Sequence, residues 1–320
     1  MVVADDFFEG AEKVLQLSIA VESGKGLLEL QKEEWDKILD LMGAKILSKC
    51  SVDNADSYVL NESFMFVSKD TFIAKTCGLS TLLSALPLIK SVIETRSDRW
   101  SISNVLYCRK SFARPLDQKY PHNSPEAEKD YTFAHFPEGS WFDFGTNHHT
   151  NGWSIFVYNN KILDGYFGGT RVELNMYNFD QQTCEMFSRS TYSNPDVEMR
   201  KAAEIEKLMP KATLDDHAFE PCGYSVNGLR GSDYFTLHVT PQISCAYASF
   251  ETNLSLAEDQ GACFRILNVL KPKSFIMTII CPPIYEVNAQ SLIRGLGQVY
   301  EIKKKEYLVL EKNLVFYCWF

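Results

Sequence analysis

Apolar and polar positions in this chain fall into short segments whose period switches between the helical spacing and strict alternation. In LLELQKEEWDKILDLM, residues 27–42, the spacing brings Leu28, Trp35, Ile38, Leu39 and Met42 near one face of a helix, with charges opposite. A strand is expected at 44–50. The stretch YVLNESFMFVSKDTFIAKTCG, from Tyr58 to Gly78, reads as two strands joined by a polar Ser68-Lys69-Asp70 turn. Residues 79–94 read as a second helix that Pro87 kinks or restarts, since proline lacks the N–H a helix interior needs.

Further short strands are expected at 102–108, 153–158, 171–177, 234–240, 246–251, 274–280 and 306–310, with helices at 256–270 and 289–296. Strands in adjacent pairs separated by single helices predict an α+β fold with antiparallel sheets, not a doubly wound parallel one. The segment 115–152, rich in Pro, His, Asn, Gly and Asp, and the polar segment 187–216, with a helical middle, read as surface excursions. No internal repeat or low-complexity segment is evident.

Composition narrows the function classes. A chain of 320 residues with 45% hydrophobic and 23% charged positions can bury a substantial core, as one large domain or two small ones. Its 32 basic against 41 acidic residues give a net charge of −9, which argues against nucleic acid as a partner, because phosphate binding needs a concentrated positive footprint. The one basic run, Lys303 to Lys305, reads as a solvated turn or strand end. No stretch has transmembrane length, and the N-terminus carries acids where a secretory signal would be basic and apolar, so a cytoplasmic address and no membrane partner are expected. Nine scattered cysteines without a C-x-x-C pair read mostly as buried free thiols. Despite the His148-His149 pair, no Cys or His spacing matches a zinc site, and no metal is expected.

Several residues could carry chemistry. Treating 58–67 as one continuous strand, Ser63 shares a face with Val59, Asn61, Met65 and Val67, and Glu62 shares the other with Leu60, Phe64 and Phe66. A carboxylate in that company is costly unless paired, although residue types alone read as a satisfied strand serine and an edge glutamate facing solvent. In FFEGAEK, Glu9 and Glu12 are three apart and would point the same way on a helix or turn. They could divide acid and base roles or attract a cation; equally, they could cap a helix start. FEPCGYSVNG at 219–228 reads as a Gly-rich loop bearing Ser225. SDYFTLHVTPQ at 232–242 reads as a strand with His238 on the face of Tyr234, Thr236 and Thr240, placed as a proton carrier or as a surface histidine. No G-x-S-x-G elbow or Ser-His-Asp order supports an ordinary hydrolase.

In order along nearly the whole chain, FFEGAEK, YVLNESFMFVSKDTFIAKTCG, YCRKSFARP at 107–115, FEPCGYSVNG, HVTP at 238–241 and YASFETNLS at 247–255 resemble the eukaryotic S-adenosylmethionine decarboxylase proenzymes. The resemblance implies one domain over 1–320 and a four-layer αββα sandwich, with two facing antiparallel sheets and helices outside. It also implies self-cleavage between Glu62 and Ser63 into chains 1–62 and 63–320, with Ser63 converted to a pyruvoyl group. That built-in carbonyl forms a Schiff base with the amine of S-adenosylmethionine and takes the electrons left by carbon dioxide, so neither pyridoxal phosphate nor a metal is required. The product is the aminopropyl donor for spermidine and spermine synthesis.

Carried over residue by residue, Cys77 is the acid that reprotonates the α-carbon, His238 removes the proton that drives β-elimination during processing, and Ser225 holds the ester intermediate. Glu9 and Glu12 supply negative charge, Phe8 and Phe219 sandwich the adenine, and backbone groups of Leu60 and Glu62 meet its edge. The chain also departs from the family. Asn61 and Phe64 replace serines beside the reactive serine, and Gln242 replaces a glutamate that binds the ribose hydroxyls. Of the acidic pocket that holds the activator putrescine in animal members, Glu173 and Lys75 remain, while Gly169, Arg171, Gln16 and Cys108 replace an aspartate, a threonine, a glutamate and a serine. An arginine there brings the charge putrescine otherwise supplies, as in plant members, and predicts little or no stimulation. Gln242 and Phe64 also motivate an alternative: a weakly active or unprocessed paralogue acting as a regulatory dimer partner. The intact Ser63, Cys77 and His238 oppose it. A plain α+β ligand-binding protein is opposed by the ordered motifs. A homodimer is typical of animal members and a monomer of plant ones.

Overall fold

KVLQLSIAV, which begins on the last residue of the FFEGAEK motif, forms β1 (Lys13–Val21) at the heart of a sheet, with Leu15, Leu17 and Ile19 alternating with Gln16 and Ser18. Burial is near-continuous along it, so its polar residues Lys13 and Gln16 are covered as well as its apolar ones. The expectation of a helix or turn at Glu12 is corrected accordingly. The computed structural model describes residues 10, 12–61, 63–96, 100–145, 151–160, 169–310 and 312–320. Phe8, Glu9 and Glu62 lie outside the described residues.

The chain divides into two compact units, residues 11–168 and the unit containing Gly169–Phe320. In the first, β1 is joined by β2 (Ile46–Val52), β3 (Ala55–Leu60), β4 (Ser63–Ser68), β5 (Thr71–Thr76), β6 (Trp100–Lys110), β7 (Ser140–Phe144) and β8 (Trp153–Asn159). They form an antiparallel sheet in the order β2-β3-β4-β5-β1-β6-β8-β7, so β1, first in sequence, lies between β5 and β6. Helices α1 (Lys32–Met42) and α2 (Leu86–Arg96) contribute Trp35, Ile38, Leu39, Met42, Ile89 and Ile93 to a core with Leu15, Leu17, Met65 and Phe156 of the sheet. Residues 27–42 are not one helix: a 3-10 turn at Gly26–Glu29 precedes α1, which starts afresh at a capping box of Gln31 and Glu34. Pro87 sits in the first turn of α2, which is the restart its chemistry predicts.

The excursion at 115–152 is partly overturned, because it holds β7 and α3 (Pro125–His135), whose Glu128 and Thr132 are buried. Ser124 caps α3 by accepting from the Ala127 N–H, and Pro125 fills its first position.

The second unit carries β9 (Arg171–Tyr177), β10 (Thr213–Ala218), β11 (Tyr224–Arg230), β12 (Asp233–Thr240), β13 (Tyr247–Thr252), β14 (Ser274–Cys281), β15 (Lys304–Val309) and β16 (Leu314–Trp319). Their order is β10-β11-β12-β13-β9-β14-β16-β15, again antiparallel. Helices α4 (Gln181–Met186), α5 (Pro195–Ala202), α6 (Gly261–Leu270) and α7 (Glu286–Gly297) pack Cys184, Met199, Ile266, Leu267, Leu292 and Ile293 against Leu174, Leu237, Phe250 and Met277. The 187–216 excursion thus contains core residues, Met199, Ile205 and Leu208. The expected loop at 219–228 is corrected in its second half, which is β11.

Helix-backed antiparallel sheets make each unit α+β, as the element pattern predicts. All nine cysteines are free, seven of them buried, and no helix among the described residues is long and apolar enough to cross a membrane.

Candidate active site

Residues of the expected site form one constellation in each unit. In the first, the Tyr58–Val67 stretch is not one strand: β3 ends at Leu60, β4 opens at Ser63, and the two residues pair. Ser63 therefore stands where the hairpin turns, in register with Leu60, not with Val59 and Asn61 as continuous alternation implied. Its φ of +152° is one that residues with a Cβ rarely adopt, at a cost of about 1–3 kcal/mol. The buried Ser63 hydroxyl donates to Glu12 Oε1 at 3.3 Å, and Glu12 Oε2 pairs with Lys75 Nζ at 3.0 Å. Both charged side chains are 0% exposed, so each is the other's compensation for lost hydration.

Register also places the remaining residues of this unit. Ser63 pairs with Thr76, so Cys77, buried, follows immediately after the neighbouring strand position. Val14 lies between Lys75 and Cys108, and buried Gln16 is two residues further on the same face. Phe64 pairs with Lys75 and is itself buried.

In the second unit, five strands align a polar row: His217 pairs with Ser225, Ser225 with His238, His238 with Ser249, and Ser249 with Asn175. Ser225 Oγ and His238 Nδ1 are 2.5 Å apart, and His238 is 8% exposed, which excludes the surface-histidine reading. Phe219 lies just beyond β10, edge-on to His217 at 4.7 Å and to His238 at 6.2 Å between ring centroids. Its N–H donates to the Gly223 carbonyl. Gly223 has φ +122°, a conformation that disfavours any side chain, and a Cβ there would sit 3.4 Å from Phe219 Cβ. Gln242 is exposed past the end of β12, its Oε1 accepting from Cys245 Sγ at 3.6 Å.

The next rows of this sheet hold the charges. Glu251 pairs with Glu173 in register, and Arg171 Nη2 stands 3.0 Å from Glu251 Oε2 and 3.6 Å from Glu173 Oε2. Tyr234 donates to Glu251 Oε1 at 2.7 Å; burial, then the Glu251 charge, pushes its hydroxyl well above the usual phenol range, so it remains a donor. Gly169 precedes β9 with φ +83°.

Sequence reasoning missed Glu251, whose partner lies on another strand, and a buried polar network in the first unit. There, Tyr107 donates to Glu128 Oε1 at 2.6 Å, and His122 Nδ1 lies 2.7 Å from the same oxygen. Arg109 Nη2 meets Glu128 Oε2 at 2.6 Å. Burial alone would raise the Glu128 carboxyl, but Arg109 and His122 hold it down at about 2. Burial lowers His122 in spite of Glu128, so the imidazole is neutral near pH 7: Nδ1–H donates to Glu128, and Nε2 accepts the Leu83 N–H at 3.3 Å. Among the described residues, no group of three or more His, Cys, Asp or Glu is placed to hold a metal ion.

Known proteins are similar to this chain in sequence and in fold. The chain is 33% identical over 287 residues to the S-adenosylmethionine decarboxylase proenzyme of Xenopus laevis, covering 86% of this chain and 84% of that one. The proenzyme of Drosophila melanogaster is 31% identical (88% and 85% covered), and that of Trypanosoma cruzi 34% identical (86% and 76%). In fold, the chain is similar to the crystal structure of the Trypanosoma brucei AdoMetDC-delta26 monomer, with a TM-score of 0.61 at 23% identity, over 80% of this chain and 97% of that one. Since the profile described as adenosylmethionine decarboxylase also matches residues 5–320, the chain belongs to that family of pyruvoyl-dependent carboxy-lyases.

Proposed function

We propose that this chain cleaves itself at Glu62–Ser63 and then decarboxylates S-adenosylmethionine to the aminopropyl donor for spermidine and spermine. The observation that carries the reading is Ser63 itself: a strained backbone at a hairpin turn, with its hydroxyl held by a buried carboxylate. Strain stored at one residue is a reservoir that bond rearrangement can release.

In the proposed processing, Ser63 Oγ, directed by Glu12, attacks the Glu62 carbonyl carbon; the peptide nitrogen leaves and an ester replaces the amide. Ser225 holds that ester. His238, whose Nδ1 is taken by Ser225, removes the α-proton of residue 63, and the electron pair expels the Glu62 carboxylate. Hydrolysis of the resulting dehydroalanine releases ammonia. The residues present fit a pyruvoyl group at position 63, because nucleophile, orienting acid and proton carrier all carry the needed side chains. That group supplies a carbonyl that condenses with the substrate amine and accepts the electrons freed with carbon dioxide.

The chain's own residues do the rest. Cys77 delivers the proton to the substrate α-carbon. Phe219 stacks on the base and attracts the sulfonium through its π-face, and Gln242 accepts from the ribose hydroxyls without a charge. Arg171, already paired with Glu251 and Glu173, makes the reaction independent of putrescine. Nine free thiols suit the reducing cytosol, the proposed compartment.

Intact-mass measurement tests the reading. Wild-type protein should give two polypeptides, the larger blocked to Edman chemistry, and Ser63→Ala a single chain. Carbon dioxide should be released from carboxyl-labelled substrate by the first and not the second. A wild-type chain that stays whole after prolonged incubation refutes self-processing and moves the protein to the class of regulatory partners.

A further inference from the structure

Lys13 is a lysine with no exposed surface in the middle of a sheet, an expensive placement that calls for a reason. On β1 it pairs with Thr76 and Arg109, and its ammonium donates to the Gly78 carbonyl at 2.9 Å. The Phe112 ring lies below it at 5.2 Å and is shared with the Arg109 guanidinium at 4.6 Å. The bond to Gly78 falls on the residue directly after Cys77.

The turn around Cys77 is held at several points. On its near side, Thr76 is fixed by the β5 ladder. The Cys77 carbonyl accepts from Ser80 Oγ at 2.7 Å, and the Gly78 carbonyl from Lys13. Further along, the Leu83 N–H is taken by His122, and the Thr81 N–H by the Met42 carbonyl at the end of α1. Gly78, at φ +59°, is the residue whose freedom would otherwise let this turn drift. With the peptides on both sides of Gly78 fixed, the Cα–Cβ direction of Cys77 is fixed too.

We infer that Lys13 is a positioning residue for Cys77: by clamping the Gly78 carbonyl it aims the thiol, and so decides which carbon receives the proton after carbon dioxide leaves. This rests on the proposed role of Cys77 as proton donor. A proton on the substrate α-carbon gives product and restores the carbonyl. A proton on the former Ser63 α-carbon ends turnover: with the addition of water, the substrate's nitrogen stays behind, leaving alanine with a free amino group at position 63 and releasing the substrate's carbon skeleton as an aldehyde.

The test compares wild type, Lys13→Met and Leu15→Ala, all full length and incubated with S-adenosylmethionine, by Edman reading of the large chain, turnover count and melting temperature. Lys13→Met should still cleave, and should expose alanine ahead of Phe64 after about tenfold fewer turnovers than wild type, less than the roughly 100-fold a 1 Å misplacement can cost because Ser80 still holds the neighbouring carbonyl. Leu15→Ala, a core truncation on the same strand, should lower melting without changing that ratio. If Lys13→Met does not fold, Lys13→Gln, too short to reach Gly78, is read in the same way.

An unchanged ratio in the lysine variant overturns the proposal. So does the same change in Leu15→Ala, or a folded lysine variant that fails to cleave, which would place Lys13 in processing instead. Wild type that never cleaves removes the Cys77 role and this inference together; wild type that turns over, beside an unaltered variant, removes this inference alone.

Discussion

Replacing Arg171 with threonine tests the assigned role of the second unit's charged cluster. The arginine stands 3.0 Å from Glu251, which is fully buried, and 3.6 Å from Glu173, and Tyr234 donates to the far oxygen of Glu251. Arg171→Thr would leave two buried carboxylates on adjacent strands facing each other without this cation. Removing one partner of a buried pair typically costs about 3–5 kcal/mol, because the remaining charge is uncompensated. For a chain of this size that is a fall in melting temperature of about 4–8 °C. The loss should be reversible by a diamine: one bound at about 100 times its dissociation constant adds about 2.7 kcal/mol. Thermal unfolding with and without putrescine is the assay, alongside carbon dioxide release. Wild type should show neither a melting shift nor stimulation. The variant should show both. A several-fold stimulation of wild type, or a variant destabilised by less than about 1 kcal/mol and indifferent to diamine, refutes the assignment.

Two further outcomes are expected. Gln242→Glu should lower KM for S-adenosylmethionine by about three- to tenfold, with kcat little changed, since a charged acceptor strengthens hydrogen bonds to ribose hydroxyls in a site screened by solvent; an unchanged KM would place the ribose elsewhere. His122 has its folded pKa lowered by burial, so the unfolded chain binds more protons below its ordinary value, and stability should decline as pH falls from about 6.5, by at most about 1.4 kcal/mol per unit. Urea unfolding between about pH 5 and 7 should show that slope in wild type and lose its His122 share in His122→Gln, whose amide oxygen can still accept from Leu83.

What the sequence discloses here is local, and what it conceals is pairing. The faces of α1, the restart at Pro87 and the side of β12 that carries His238 follow from spacing and proline chemistry within a few residues. β1 and β11 do alternate, Leu15, Leu17 and Ile19 with Gln16 and Ser18, and Tyr224 and Val226 with Ser225 and Asn227, but the acidic flank of the first and the Pro- and Gly-rich flank of the second outweigh such short runs. Ser124-Pro125 was a legible helix start, masked by the polar composition around it. Arg171 and Glu251 are 80 residues apart and meet through the register of β13 on β9, which no single stretch encodes. Ser63 shows the same limit: the motif marks the residue, but only the Leu60–Ser63 pairing puts it at a turn.

The position of β1 between β5 and β6 would matter once the chain is cut as proposed. Cleavage before Ser63 leaves β1, β2 and β3 on the small fragment, with β1 threaded between two strands of the large one and β3 still laddered to β4. The fragments could not part without opening the sheet, so a protein cleaved as proposed would persist as an interlocked pair. Its unfolding is then a dissociation and its refolding a second-order encounter, so recovery after denaturation becomes dependent on protein concentration, whereas the uncut precursor refolds as one body at any dilution.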